Sequence, residues 1–275
     1  MRGISILAIA VVVAAACDVR VSDKGGVSVD LVNGKATDEW ARTYTIAKGG
    51  RLEIVNETGA IDVGRSNGSA VEVRAMRAAR DDSDEAAAAL LRGVEMNEQV
   101  SPERVRIEAR TPAGSARGSG FRRLVRRADV TIAYRVLLPP GLSATFRTEN
   151  GQVRLDSVDG RLEVASTNGG ITGRAVSGSL VASTVNGSVQ LGFDTLHDDV
   201  EVTVVNGGIR IELAKSINAR LEATTVNGGV RVDEDLPLDA SVRDRVRVIG
   251  TINNGGPRLV LHTTNGGVRV GVREQ

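Results

Sequence analysis

Aromatic residues are only 2% of the 275-residue sequence: two Tyr, three Phe and one Trp, scattered along its length. That excludes a core built on large rings, and it leaves no row of aromatic platforms of the kind sugar-processing enzymes use. Cysteine occurs once, at Cys17, and histidine twice, at His197 and His262. Neither histidine has a Cys or His neighbour, so no zinc-type ligand set is present and no metal or cofactor is expected. Net charge is also lacking. Lys and Arg number 35 against 34 acids, and removing the first sixteen residues takes away Arg2 alone and leaves the balance at zero. Nothing in that balance calls for a nucleic-acid partner. The apolar run, Ile4 to Ala16, is broken by Ser5 and is too short to span a bilayer.

What the sequence has instead is a period. From Thr148 to Gly192 it reads as five consecutive nine-residue units, TENGQVRLD, SVDGRLEVA, STNGGITGR, AVSGSLVAS and TVNGSVQLG, each with a polar residue and Gly in its third and fourth places. A repeat without a slip is the signature of a repeat architecture. In each unit the sixth place is apolar (Val153, Leu162, Ile171, Leu180, Val189), and the eighth usually is, with Gly173 the exception. Apolar residues two apart predict short half-buried strands, and the polar-Gly pairs predict sharp turns that tolerate positive φ.

A hairpin meander and a β-solenoid could both use this pattern. In a two-residue hairpin the residues flanking the turn share a face and should be alike. Here Val158, Val176 and Val185 precede the pair, whereas Gln152, Arg161, Gly170, Ser179 and Ser188 follow it. A solenoid corner fits better. The Asn-Gly pair then returns every two units, from Asn150 to Asn168 to Asn186, which gives an 18-residue coil. It recurs at Asn206 and Asn227, and at Asn265, 38 residues on, or two coils of 19. Coils of about 18–21 residues stacked at about 4.8 Å would align these Asn side chains as a hydrogen-bonded turn ladder.

The flanks carry further signals. Arg2, the apolar run and Ala14-Ala15-Ala16-Cys17 have the shape of a signal peptide over residues 1–16. The last four residues resemble a bacterial lipobox, which implies lipid attachment at Cys17, with ordinary signal cleavage after Ala16 as the alternative. Residues 17–42 read as a polar, lipidated tether with room for one strand, and residues 43–275 as the solenoid domain, interrupted by an insertion over 81–127. Within the insertion, Asp81 to Gly93 predicts a short helix with an apolar stripe of Ala86, Leu90 and Val94, suited to covering a solenoid end. It also holds Arg122, Arg123, Arg126 and Arg127, a possible contact for anionic headgroups or glycans. Phe193 to Asp199 and Asp233 to Asp239 lengthen two coils and read as loops. The carboxylates Asp194, Asp198 and Asp199 lack the spacing of calcium loops.

The units Thr-Glu-Asn-Gly-Gln-Val, Ser-Thr-Asn-Gly-Gly-Ile, Thr-Val-Asn-Gly-Ser-Val, Val-Val-Asn-Gly-Gly-Ile, Thr-Val-Asn-Gly-Gly-Val and Thr-Thr-Asn-Gly-Gly-Val resemble the bacterial putative-adhesin family, a domain of unknown function built from such repeats. The resemblance covers about residue 43 to the C-terminus and includes the lead-in Pro139-Pro140-Gly141. It implies an all-β, right-handed parallel β-helix-like solenoid in the cell envelope, with no established activity and no transferable site residues. The expectation is therefore a non-enzymatic envelope lipoprotein, exported and membrane-anchored at the periplasmic or cell surface. It would be held to the membrane by its N-terminal lipid and bind a protein, glycan or peptidoglycan partner. The alternatives are a β-helix polysaccharide lyase or hydrolase, and a self-assembling envelope-stress scaffold.

Overall fold

The computed structural model of the chain describes residues 34–111 and 129–273. The signal segment, Cys17 and the four arginines Arg122, Arg123, Arg126 and Arg127 lie outside the described residues. The N-terminal part of the described chain runs β1 (Gly34–Tyr44), β2 (Arg51–Thr58), β3 (Ile61–Arg65), β4 (Val71–Asp81), α1 (Asp84–Arg92), β5 (Glu95–Val100), β6 (Arg104–Arg110) and β7 (Asp129–Leu138). The repeat array supplies β8 (Ser143–Asn150), β9 (Val153–Asp156), β10 (Leu162–Asn168), β11 (Ile171–Arg174), β12 (Leu180–Asn186), β13 (Val189–Phe193), β14 (Val200–Asn206) and β15 (Ile209–Leu213). The C-terminal part adds β16 (Ala219–Asn227), β17 (Val230–Val232), β18 (Leu238–Arg243), β19 (Arg247–Ile252), β20 (Arg258–Asn265) and β21 (Val268–Val272).

These strands form two facing sheets. The first has the order β1-β4-β7-β3-β9-β11-β13-β15-β21-β17, and the second β18-β19-β16-β20-β14-β12-β10-β8-β2-β6-β5. Successive nine-residue units alternate between the sheets, so one coil is one strand of each, and like strands of adjacent coils pair in parallel, as in Leu162↔Leu180 and Ile171↔Val189. The fold is an all-β two-sheet solenoid with one short helix. The sixth and eighth places face inward: Val153, Ile171, Leu180 and Val189 are fully buried, and small aliphatic side chains from both sheets fill the space between them. Gly173 leaves no void, because Leu191 Cδ2 and Val176 Cγ2 occupy the place of its missing side chain.

The two corners differ physically. At the corner leading into the second sheet, Gly160 and Gly178 have φ of 105° and 93°, and Ser157 and Ala175 are also left-handed. At the Asn-Gly corner most glycines are needed for another reason. A Cβ on Gly169 would stand 1.9 Å from the carbonyl oxygen of Gly151 in the preceding coil, and one on Gly187 would stand 2.1 Å from that of Gly169. Positive φ, the reason given by the sequence pattern, applies at this corner to Gly59, Gly207 and Gly266 but not to Gly151, Gly169, Gly187 or Gly228.

Three boundaries differ from expectation. The strand allowed for within residues 17–42 is β1, which begins at Gly34 and runs across the boundary drawn at residue 42, paired antiparallel with β4 from Gly34↔Asp81 to Tyr44↔Val71. Within the expected insertion, β6 continues the stack by pairing in parallel with β2, Leu52↔Val105 and Ile54↔Ile107. The last coil does not follow its predecessor in space. β20 lies between β14 and β16, and β21 between β15 and β17, so the 38 residues between Asn227 and Asn265 are not two stacked coils. They hold the antiparallel hairpin β18–β19, which pairs with the far edge of β16 and sends the chain back into the gap.

Helix α1 is capped by Ser83, whose hydroxyl accepts from the Ala86 amide at 3.1 Å, and carries Asp84 and Glu85 in its first turn. It packs on β1 and β4, where the first sheet ends. Its buried stripe is Ala87, Leu91 and Val94, one residue on from the predicted Ala86 and Leu90, which are half-buried.

Candidate functional site

Three columns run along the stack. The first is the Asn column. Asn168 Nδ2 donates to Asn150 Oδ1 at 2.9 Å, Asn186 to Asn168 at 2.9 Å and Asn206 to Asn186 at 2.9 Å. Asn265 then donates to Asn206 at 2.8 Å and Asn227 to Asn265 at 2.8 Å, so the spatial order departs from the sequence order at the last two. The second column lies just inside the corner. The hydroxyls of Thr148, Ser166, Thr184, Thr263 and Thr225 donate to glycine carbonyls of the neighbouring coil, for example Thr184 to Gly169 at 2.8 Å. At Val204 the hydroxyl is replaced by a methyl group. The residue two before each Asn was the available sequence signal for this column.

The third column lies on the outer face of the first sheet, at the place between the two inward residues of each Asn-Gly unit. Register pairs give its order as Arg74, Arg135, Asp62, Arg154, Thr172, Gln190, Arg210, Arg269, Arg231. Six of nine side chains are arginines and one is an acid. Arg210, Arg269 and Arg231 are immediate neighbours on adjacent strands. Each such pair of like charges costs up to about 1 kcal/mol at the dielectric constant of water, and Asp233, 3.1 Å from Arg269, offsets part of it.

Beside this column the next outward row is partly bare, with glycine at Gly64 and Gly192. The result is a groove of about 700 Å³ across the first sheet, from Arg135 on β7 to Arg273 beyond β21. Six strands line it, and their five spacings of about 4.8 Å give it a length of about 24 Å. Its walls carry five arginines against three carboxylates, Asp62, Asp156 and Glu212. Arg154 is tied to Asp62 at 3.2 Å and to Gln152 Oε1 at 2.9 Å, and Arg273 to Asp194 at 2.5 Å. Arg135, Arg174 and Arg210 have no ion pair or side-chain hydrogen bond among the described residues. The sequence pattern did not reveal this groove, because the arginines become neighbours only once the strand order is known.

Charge on the second sheet is arranged differently. Glu53 is buried between Arg104 and Arg106, with Arg147 Nη1 at 3.8 Å. Burial pushes its carboxyl up, but the hydrogen bond from Arg104 and the charges of Arg106, Arg104 and Arg147 together hold it below the usual carboxylate range. Of the acids in the Phe193 to Asp199 segment, Asp199 accepts from the Arg258 backbone amide at 2.8 Å and from its guanidinium at 3.3 Å, which lowers its carboxyl in that order of effect. Asp194 is held by Arg273. Among the described residues no group of three or more His, Cys, Asp or Glu side chains is placed to hold a metal ion, and no helix is long and apolar enough to cross a membrane.

The profile of the Toastrack DUF4097 family matches residues 51–271. Among solved structures, a putative cell adhesion protein from Clostridium sporogenes ATCC 15579 is similar at 10% identity, with a TM-score of 0.49, covering 85% of this chain and 99% of that one. A putative adhesin from Bacteroides fragilis NCTC 9343 is similar at 10% identity and a TM-score of 0.28, covering 85% and 97%. One from Parabacteroides distasonis ATCC 8503 is similar at 9% identity and a TM-score of 0.29, also covering 85% and 97%. No curated protein matches the sequence significantly.

Proposed function

The chain belongs to the Toastrack DUF4097 family, and from the geometry of its first sheet we propose that it is a non-enzymatic binding module of the cell envelope. In this reading it is exported, anchored through lipid on Cys17, and presents the outer face of the first sheet to an envelope protein, glycan or peptidoglycan partner. The observation that carries the reading is the groove of about 700 Å³ laid across six strands. Each of its strands is hydrogen-bonded to a neighbour on both sides, so an extended partner meets a surface that needs no ordering on binding.

The groove's acids support binding over hydrolysis. Asp156 and Glu212 share a row but stand three strand spacings apart, about 14 Å. Paired-acid glycoside hydrolysis uses roughly 5–9.5 Å. Asp62 stands nearer to Asp156, but its carboxylate is taken up by Arg154.

The test fills the groove. A Cβ at Gly192 would have Arg273 Nη1 as its nearest neighbour at 3.7 Å, so Gly192→Phe projects a ring into the groove without disturbing the core. Cosedimentation of the chain carrying Cys17→Ser, which lipid cannot hold to the membrane, with a crude envelope fraction is expected to be lost on adding Gly192→Phe and retained on adding Val181→Phe, which alters an exposed side chain of the second sheet. Equal retention by both variants would refute the groove as the binding face. Fractionation of cells carrying Cys17→Ser tests the anchor, with release from the membrane fraction as the expected outcome.

A further inference from the structure

We propose that the ligand of this groove is a linear acidic glycan, one that carries carboxylates at regular intervals along a hydroxyl-rich chain. The inference rests on the binding role assigned to the groove above and names its ligand class. Three observations carry it.

The first is unbalanced charge held in register. Arg135, Arg174 and Arg210 face the groove without an ion pair among the described residues, with Asp62 and Asp156 opposite the first two on the adjacent strands, and Arg210 stands directly beside Arg269, which Asp233 holds at 3.1 Å. Stacking like charges on adjacent strands is unfavourable, and an anion bridging them relieves it. A guanidinium offers a carboxylate two parallel N–H donors.

The second is the order along the column. Arg135 stands at one end and Arg210 and Arg273 at the other, while in the middle Gln152, Thr172 and Gln190 alternate with Arg154 and Arg174. Amide and hydroxyl groups both donate and accept, which matches sugar hydroxyls, whereas a bare polyphosphate, having acceptors alone, can use their donors but leaves their acceptors unmatched. The third is the trough itself. The missing side chains at Gly64 and Gly192 let a chain lie against the backbone, and the groove spans about five strand spacings, enough for several sugar units. The groove contains no aromatic side chain, so it lacks the stacking platform by which single-stranded nucleic acids are held.

The experiment measures binding of the full chain to polygalacturonate by calorimetry, with dextran and inorganic polyphosphate as comparison polymers. Saturable binding to polygalacturonate is expected, with none to dextran. Raising ionic strength from low to above physiological should weaken it roughly tenfold or more, because exposed charges are screened over about 10 Å or less. Replacing all three unpaired arginines, Arg135→Gln, Arg174→Gln and Arg210→Gln, is expected to weaken binding about 100-fold. Arg220→Gln on the second sheet should leave it unchanged. Absence of binding to polygalacturonate, or binding untouched by the triple replacement, would overturn the proposal. So would tighter binding to polyphosphate. If Gly192→Phe abolishes envelope binding while the triple replacement does not, the groove remains the docking face and the acidic glycan is the wrong ligand. If neither change affects envelope binding, the docking face itself is misassigned.

Discussion

Ending the chain at residue 257 removes β20 and β21 from the interior of the stack, and the consequence differs from trimming a solenoid at its tip. β20 hydrogen-bonds to β14 on one side and β16 on the other, and β21 to β15 and β17. Leu259, Leu261, Val268 and Val270 are each at most 1% exposed. At about 1.5–3 kcal/mol for each buried side chain, their loss removes about 6–12 kcal/mol. A whole domain typically has about 5–15 kcal/mol of net stability. The truncation also cuts the Asn column between Asn206 and Asn227 and leaves two sheet edges facing across a gap. Native-state hydrogen exchange followed by peptide mass analysis is the assay. Residues 200–257 are expected to lose protection, whereas 143–191, whose neighbours are untouched, keep theirs. Leu261→Asp in the full-length chain should give the same regional pattern. Retained protection over 200–257 in the truncated chain would mean that β16 docks directly on β14, and would refute the reasoning.

Val189→Asp buries a carboxylate without a partner at a fully buried position, so it is expected to destabilise by several kcal/mol, whereas Gln190→Asp beside it, facing out, should cost under about 0.5 kcal/mol; urea unfolding distinguishes them. Glu53→Gln should cost about 1–3 kcal/mol near neutral pH by removing a charged acceptor from Arg104 and Arg106. Because the folded carboxyl is held below its unfolded value of about 4.3, that stabilisation is present above about pH 4.3 and is lost as pH falls through the folded value. The gap between parent and Glu53→Gln should therefore narrow in acid, and a gap constant down to pH 3 would contradict it. The Tyr134 hydroxyl is buried with no hydrogen-bond partner among the described residues, and burial pushes its ionisation above the ordinary tyrosine value. Tyr134→Phe is expected to be neutral or to raise the melting temperature, and a loss above about 1 kcal/mol would show an overlooked partner.

Local regularity and global order were unequally legible. The inward sixth and eighth places, and the choice of a corner over a hairpin, follow from residues within nine of one another. A polarity mismatch across the turn, such as Val185 against Ser188, was enough to rule out opposed strands. The hydroxyl column was visible in the same window as Thr or Ser two before Asn. The groove was not, because Arg135, Asp62 and Arg154 come from widely separated parts of the chain and meet only when β7, β3 and β9 are known to be neighbours.

The place of the last coil was illegible for a more specific reason. Thr-Val-Asn-Gly-Gly-Val at 225–230 and Thr-Thr-Asn-Gly-Gly-Val at 263–268 offer nearly the same hydroxyl, amide and glycine surface to a neighbour, so the repeat alone cannot rank them as partners for β14. What separates them is outside the repeat. β19 pairs antiparallel with β16 from Ala219↔Ile252 to Thr224↔Arg247 and so occupies the edge that a following coil would need. With that edge closed, the remaining way for β20 to satisfy its backbone on both sides is to enter between β14 and β16. The hairpin therefore fixes the order of coils whose own sequences leave it undetermined, and it sets Arg269 between Arg210 and Arg231 on the outer face.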